Sequence, residues 1–192
     1  MSRRFHQILL VVSMLWLSWL TMMLVHESGH VLGAICSGGR VRQVVWHPAV
    51  ISRTDVQPNP HPLVEVWAGP VIGSLVPLLV AGGASLVRVR AAYLFWVVAG
   101  FCLIANGGYV GIGAFQPVGD ARELIAGGTP KWVMAAFGTL GVVAGFWIWD
   151  RVSPRLGFGS SPIPINKKHA YVCAGLAIMV TVLGVAFGNR GV

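Results

Sequence analysis

Residues 5–30 read FHQILLVVSMLWLSWLTMMLVHESGH. Through residue 25 the stretch is apolar, with His6 its single ionisable group. A helix of that length reaches about 31 Å at 1.5 Å per residue, enough to cross a hydrocarbon core of about 30 Å. Three ionisable groups then fall within five residues, His26-Glu27-Ser28-Gly29-His30. Each such group costs about 2.5–3.5 kcal/mol at membrane depth, so a cluster there reads as functional. Working outward, residues 66–86, 91–115, 132–149 and 170–187 form further apolar runs of spanning length. The first helix is expected to continue from its span at 5–25 to residue 36. The expectation is an all-α polytopic membrane protein with about five transmembrane helices. The Gly-rich stretches leave room for a sixth or re-entrant element.

Composition agrees. Of 192 residues, 55% are hydrophobic and only 10% charged, with a mean hydropathy of +0.72. Soluble domains carry about 25% charged residues, so a soluble globular domain, a disordered chain and a coiled coil are all excluded. The net charge of +8 sits at the edges of apolar runs, where cations anchor helix ends to headgroups. No basic cluster interleaves with aromatics, so the partner is the lipid bilayer and not nucleic acid. Cys36, Cys102 and Cys173 show no metal or disulfide spacing. Arg3 and Arg4 precede an apolar run longer than the h-region of a secretion signal, which predicts an uncleaved first helix.

Two loops have character. Residues 40–55 carry the β-branched run 41–46, then His47-Pro48, then 49–54, and read as a short β-like hairpin with Pro48 at its bend. Residues 150–169 are rich in Pro, Ser and Gly and read as a linker outside the bilayer. Glycines four apart, at 69/73, 107/111 and 141/145, predict close helix packing. The whole chain reads as a single membrane-embedded domain, residues 1–192.

On a helix, His26 and His30 lie on one face and can offer two imidazole nitrogens to one metal ion. Glu27 is placed beside that ion as a general base, the arrangement of a metallopeptidase zinc helix. Six His and three Glu in 192 residues produce this pattern by chance only about 0.003 times. The alternative is a helix that ends at His26 and leaves its polar residues solvated. Residues 8–26 span about 27 Å, which sets the motif near the membrane face opposite the N-terminus. Gly29 leaves room for another backbone to approach.

A catalytic zinc takes three protein ligands. Asp55, Glu65, Asp120, Glu123, Asp150, His47, His61 and His169 are the remaining candidates. Asp120 is the best of them, because Pro117 and Gly119 break the third span and let a carboxylate turn inward. Glu123 and His61 come next. Against this, Asp120 and Glu123 also fit the capping box of a short helix running to Ala126.

His26–His30 at the end of a first span, Gly38-Gly39-Arg40-Val41 with a β-like segment, Ala68-Gly69-Pro70, and the turn at 117–124 together resemble the site-2 protease family of intramembrane zinc metalloproteases. The resemblance covers residues 20–75 and 106–125. It implies one catalytic Zn2+ held by His26, His30 and Asp120, with Glu27 as the base. It further implies a minimal core without accessory domains, in a bacterial cell membrane. The substrate would be a single-span protein or a membrane-anchored regulator. Two departures stand out: Ala121 follows Asp120 where the family has Gly, and the Asn expected shortly before the Pro is replaced only by the more distant Asn106. Val44 and Val45 are expected to hold an unwound substrate by edge pairing, and Asn106 to bind its backbone or oxyanion unless it serves helix packing. A small metal or proton transporter and a non-catalytic metal-binding membrane partner are the rival readings.

Overall fold

The computed structural model describes residues 2–188. Its elements in chain order are α1 (Arg3–Cys36), β1 (Val41–Val45), β2 (Arg53–Val56), α2 (Pro62–Leu86), α3 (Ala92–Gly113), α4 (Asp120–Ala126), α5 (Lys131–Val152), a 3-10 turn (Ser153–Leu156) and α6 (Lys167–Phe187). Among the described residues, five helices are long and apolar enough to cross a membrane: α1, α2, α3, α5 and α6. The sixth, α4, has seven residues, about 10 Å, and is not a span. Leu79, Leu140 and Ile178 are among many large apolar side chains left outside, the surface a lipid solvent requires.

Helix ends depart from expectation where a cap acts. Helix α2 begins at Pro62 and not at 66, because proline at a first helical position has its φ preset and gives up an N–H that needs no partner. Helix α6 begins at Lys167, since the Asn166 side chain accepts the N–H groups of Lys168 at 3.0 Å and His169 at 3.3 Å. With α5 running to Val152 and a 3-10 turn behind it, the linker expected over 150–169 shortens to residues 157–166. Helix α1 continues ten residues past His26, about 15 Å, so the motif is not a frayed helix end.

The hairpin is antiparallel, pairing Val45 with Arg53, Val44 with Thr54 and Gln43 with Asp55. Its second strand is 53–56 and not 49–54. Pro48 cannot join a ladder, and the turn that holds it, with the Ala49 N–H donated to His47 Nδ1 at 3.1 Å, occupies the residues before β2.

Glycines bring the helices together as expected for α3 and α5. A Cβ on Gly107 would stand 3.0 Å from Gly138 O, and one on Gly138 would stand 2.7 Å from Gly107 O. The Gly138→Leu variant is therefore expected to lose about 1–3 kcal/mol through overpacking, read as a lower denaturant midpoint in detergent micelles. Helices α1 and α2 meet through Gly29 and Gly33 against Ala68 and Gly69; a Cβ on Gly33 would sit 3.0 Å from Glu65 Cα. Two apolar clusters lie at opposite ends of the bundle. Leu10, Met14, Tyr93, Val97, Val152, Ala170 and Cys173 fill the end near the N-terminus. Val66, Val110, Ala114, Ala121, Leu124 and Met134 fill the end that carries α4.

Candidate metal centre

His26 and His30 project from α1 toward the α2–α3 side, and both are buried. His26 Nε2 and His30 Nε2 lie 3.0 Å apart, and Asp120 Oδ2 stands 3.0 Å from the first and 3.3 Å from the second. Two imidazole nitrogens and a carboxylate oxygen bound at about 2.0–2.1 Å to one ion stand roughly 2.9–3.4 Å apart. The three atoms match that triangle, and this cluster can hold a metal ion.

The hydrogen-bond partners of the two imidazoles fix which of their nitrogens face the centre as acceptors. Asn106 Nδ2 donates to Cys102 O at 2.9 Å, which turns its Oδ1 toward His26 Nδ1 at 2.7 Å. An oxygen can only accept there, so His26 carries its proton on Nδ1. His30 Nδ1 faces two acceptors of one residue, Glu65 O at 3.1 Å and Glu65 Oε1 at 2.9 Å, and is likewise the N–H donor. Both Nε2 lone pairs and the Asp120 carboxylate then converge as acceptors with no donor between them. A metal ion, or two added protons, satisfies the set. With the imidazoles protonated, burial works to raise the Asp120 carboxyl, but its bonds to His26 and His30 prevail and hold it well below the usual carboxylate range.

Asp120 reaches this point through a built turn. Gly119 has φ +52 and ψ −133, a conformation closed to residues with a Cβ. The Asp120 N–H is donated to the Tyr109 hydroxyl at 2.9 Å. Ala121 and Leu124, fully buried, anchor α4 against α2, α3 and α5. The capping box expected of Asp120 and Glu123 is not formed: Gly119 occupies the cap position without a side-chain bond, which frees the Asp120 carboxylate to face α1. Ala121 stands where the resembling family has Gly, and the space its methyl needs is provided by Gly113, whose missing Cβ would collide with it.

Of the other ligand candidates, Glu65 serves His30 from behind and Glu123 lines the cavity outside the triangle. Burial, with Glu65 and Asp120 nearby, pushes the Glu123 carboxyl up. Asp55 pairs with Arg53 at 3.4 Å, and His61 is exposed at the cap of α2. His47 is buried in the hairpin turn, while His169 bonds Tyr93 at 2.8 Å and Asp150 lies in the last turn of α5.

Glu27 is 4% exposed and lies beside the triangle without entering it. Its Oε2 accepts the Thr54 hydroxyl from β2 at 2.7 Å. A cavity of about 730 Å³ holds Glu27 and the triad, running from Trp19, Met22 and Met23 on α1 to Ile51–Asp55 on the hairpin. Five of the chain's six acidic residues line it, a grouping of carboxylates that favours a bound cation. Val44 and Val45 are not among the lining residues; the neighbouring strand β2 forms that wall.

Four contributors have roles that sequence reasoning does not assign. Glu65 and Thr54 are signalled by nothing in their local sequence. Gly69 and Gly73 look like further packing glycines, yet the space of a Gly69 Cβ is filled by the His30 imidazole and a Gly73 Cβ would stand 2.9 Å from Asn106 Nδ2. Asn106, 1% exposed, has both ends of its amide engaged and orients His26. Asn106→Ala is expected to weaken metal binding about 10–100-fold, the usual cost of losing an outer partner of a liganding histidine. Competition against a chromogenic chelator measures it. No protein-family model, no curated protein and no solved structure matches this chain.

Proposed function

We propose that the protein is a zinc-dependent intramembrane endopeptidase of the bacterial cell membrane. It hydrolyses a peptide bond in or near a transmembrane segment of a membrane-protein substrate. The observation that carries this reading is the meeting of the His26/His30/Asp120 triangle with Glu27 in one cavity of a five-span protein. Two imidazoles and one carboxylate make a donor set of hydrolytic zinc sites, and three protein ligands leave a coordination position open. A zinc ion held by His26, His30 and Asp120 would supply Lewis-acid chemistry, polarising the scissile carbonyl and acidifying a water.

The chain's own residues do the rest. Thr54 holds Glu27 Oε2, leaving the other carboxylate oxygen to take a proton from water and pass it to the leaving nitrogen. The Nδ1 partners Asn106 and Glu65 keep both imidazoles in one tautomer and one orientation. The cavity's shape supports a membrane substrate. From His26 back to Trp19 is seven residues, about 10 Å of helix, and that deep end is lined by Trp19, Met22 and Met23. The end at the hairpin is polar. A peptide crossing from lipid to water meets an apolar wall first and the polar centre after it. The resemblance to the site-2 protease family supports the same reading.

The test is metal analysis of purified protein, with cleavage assayed in vesicles against a panel of single-span reporter proteins. One zinc per chain and chelator-sensitive cleavage are expected. Bound metal with no cleavage of any reporter, together with metal flux across the vesicle wall, would make the protein a transporter instead.

A further inference from the structure

As a nucleophile adds to a peptide carbonyl, an electron pair moves onto the carbonyl oxygen, and sites that hydrolyse peptides aim preorganised hydrogen-bond donors at that oxygen. Near the metal triangle most donors are already committed. The Thr54 hydroxyl donates to Glu27, and the Asn106 amide donates to Cys102 O while its oxygen accepts from His26. The Arg53 Nε–H donates to Asp55 Oδ2 at 3.4 Å, a pair exposed on the hairpin. Asn106, expected from the sequence to bind the oxyanion, has its oxygen and one N–H engaged in orienting His26.

Tyr109 is differently placed. It lines the cavity from α3, and its ring meets that of His26 edge-on with centroids 6.2 Å apart. Its hydroxyl oxygen accepts the Asp120 N–H at 2.9 Å, which pins that oxygen beside the residue completing the triangle. A hydroxyl that accepts one bond still has its own hydrogen to give. Among the described residues no acceptor takes it. Gly119 shows how closely this is built: a Cβ there would collide with the Tyr109 hydroxyl, so the turn that delivers Asp120 also leaves space for the phenol.

We propose that Tyr109 is a catalytic residue whose O–H donates a hydrogen bond to the scissile carbonyl oxygen as it becomes negative. This rests on the endopeptidase reading. In the reaction, the water oxygen bonds to the carbonyl carbon and one water proton passes to Glu27. The carbonyl π pair becomes an oxyanion held by Tyr109, which stays protonated throughout. The oxyanion pair then re-forms the carbonyl and the C–N bond breaks with its pair going to nitrogen. The proton on Glu27 completes the amine, and the other product is the carboxylic acid.

The test compares Tyr109→Phe with wild type, using a single-span reporter chosen from a panel because wild type cleaves it. A donor of this kind is worth about 10²–10³ in kcat, so that loss is expected with KM within about twofold and zinc per chain unchanged. A phosphinic peptide copying the tetrahedral intermediate should lose a similar factor in affinity, while an uncleaved peptide of the same sequence should not. Wild-type kcat in Tyr109→Phe overturns the assignment and leaves the endopeptidase reading standing. Loss of zinc from Tyr109→Phe also overturns it, by making the phenol a support for Asp120. Failure of wild type to cleave any reporter overturns the endopeptidase reading and this assignment together.

Discussion

Glu27→Gln is expected to keep its zinc and lose between about 10² and 10⁴ in kcat, the usual contribution of a general base. The substitution is well matched to the site. Glu27 does not belong to the three atoms that can hold the ion, so metal content should not change. Glutamine preserves volume in a position that is 4% exposed, and its amide oxygen can still accept the Thr54 hydroxyl. On the endopeptidase reading, what disappears is the basic oxygen that would take a proton from water. Single-turnover cleavage beside metal analysis reads the two effects separately. A transporter would answer the same change with altered metal flux, and a metal-stabilised scaffold would be indifferent. Undiminished cleavage by Glu27→Gln would refute the mechanism.

Asp120→Asn is expected to reduce metal affinity beyond the 10–100-fold typical of outer partners, and to abolish cleavage at ordinary zinc concentrations. Asp120 supplies the only anionic atom among the three converging ones, at 3.0 Å and 3.3 Å from the histidine nitrogens. Its neutral analogue leaves two imidazoles four residues apart, a weak chelate. Metal binding is linked to stability by mass action: at a free ion concentration 1,000 times Kd it contributes about 4.1 kcal/mol. Wild type should therefore melt lower after chelation and recover when zinc is returned. The melting curve of Asp120→Asn should be nearly the same with and without added zinc at the same concentration. A zinc-dependent melting shift of wild-type size in Asp120→Asn would remove Asp120 from the ligand set and return Glu123 to consideration.

Local chemistry made much of the architecture readable. An apolar run of helix-spanning length has few alternatives in lipid, because every backbone N–H and C=O must be paired within the segment. Thus the five spans are legible and their ends shift, most at the starts of α2 and α6, where Pro62 stands at the first helical position and Asn166 caps. The hairpin is legible from its β-branched residues and Pro48, although its second strand is displaced toward Val56. The pair His26 and His30 is legible because both imidazoles lie on one face of one helix, whose geometry is the same in any protein.

The rest depends on contacts between segments far apart in the chain. Asp120 lies 94 residues from His26, and its ambiguity with a helix cap is resolved by Gly119, Tyr109 and the buried anchors Ala121 and Leu124 acting together. Glu65 becomes a partner of His30 only because Gly29 and Gly33 let α1 and α2 approach backbone to backbone. Thr54 meets Glu27 only because the hairpin folds back over α1. By itself, then, the sequence determined the five apolar helices of spanning length and the placing of His26, Glu27 and His30 on one helix. Tertiary structure decided which carboxylate completes the triangle and which residues orient it. Periodicity along one helix is a local property of the backbone, whereas convergence across helices depends on how closely their surfaces pack.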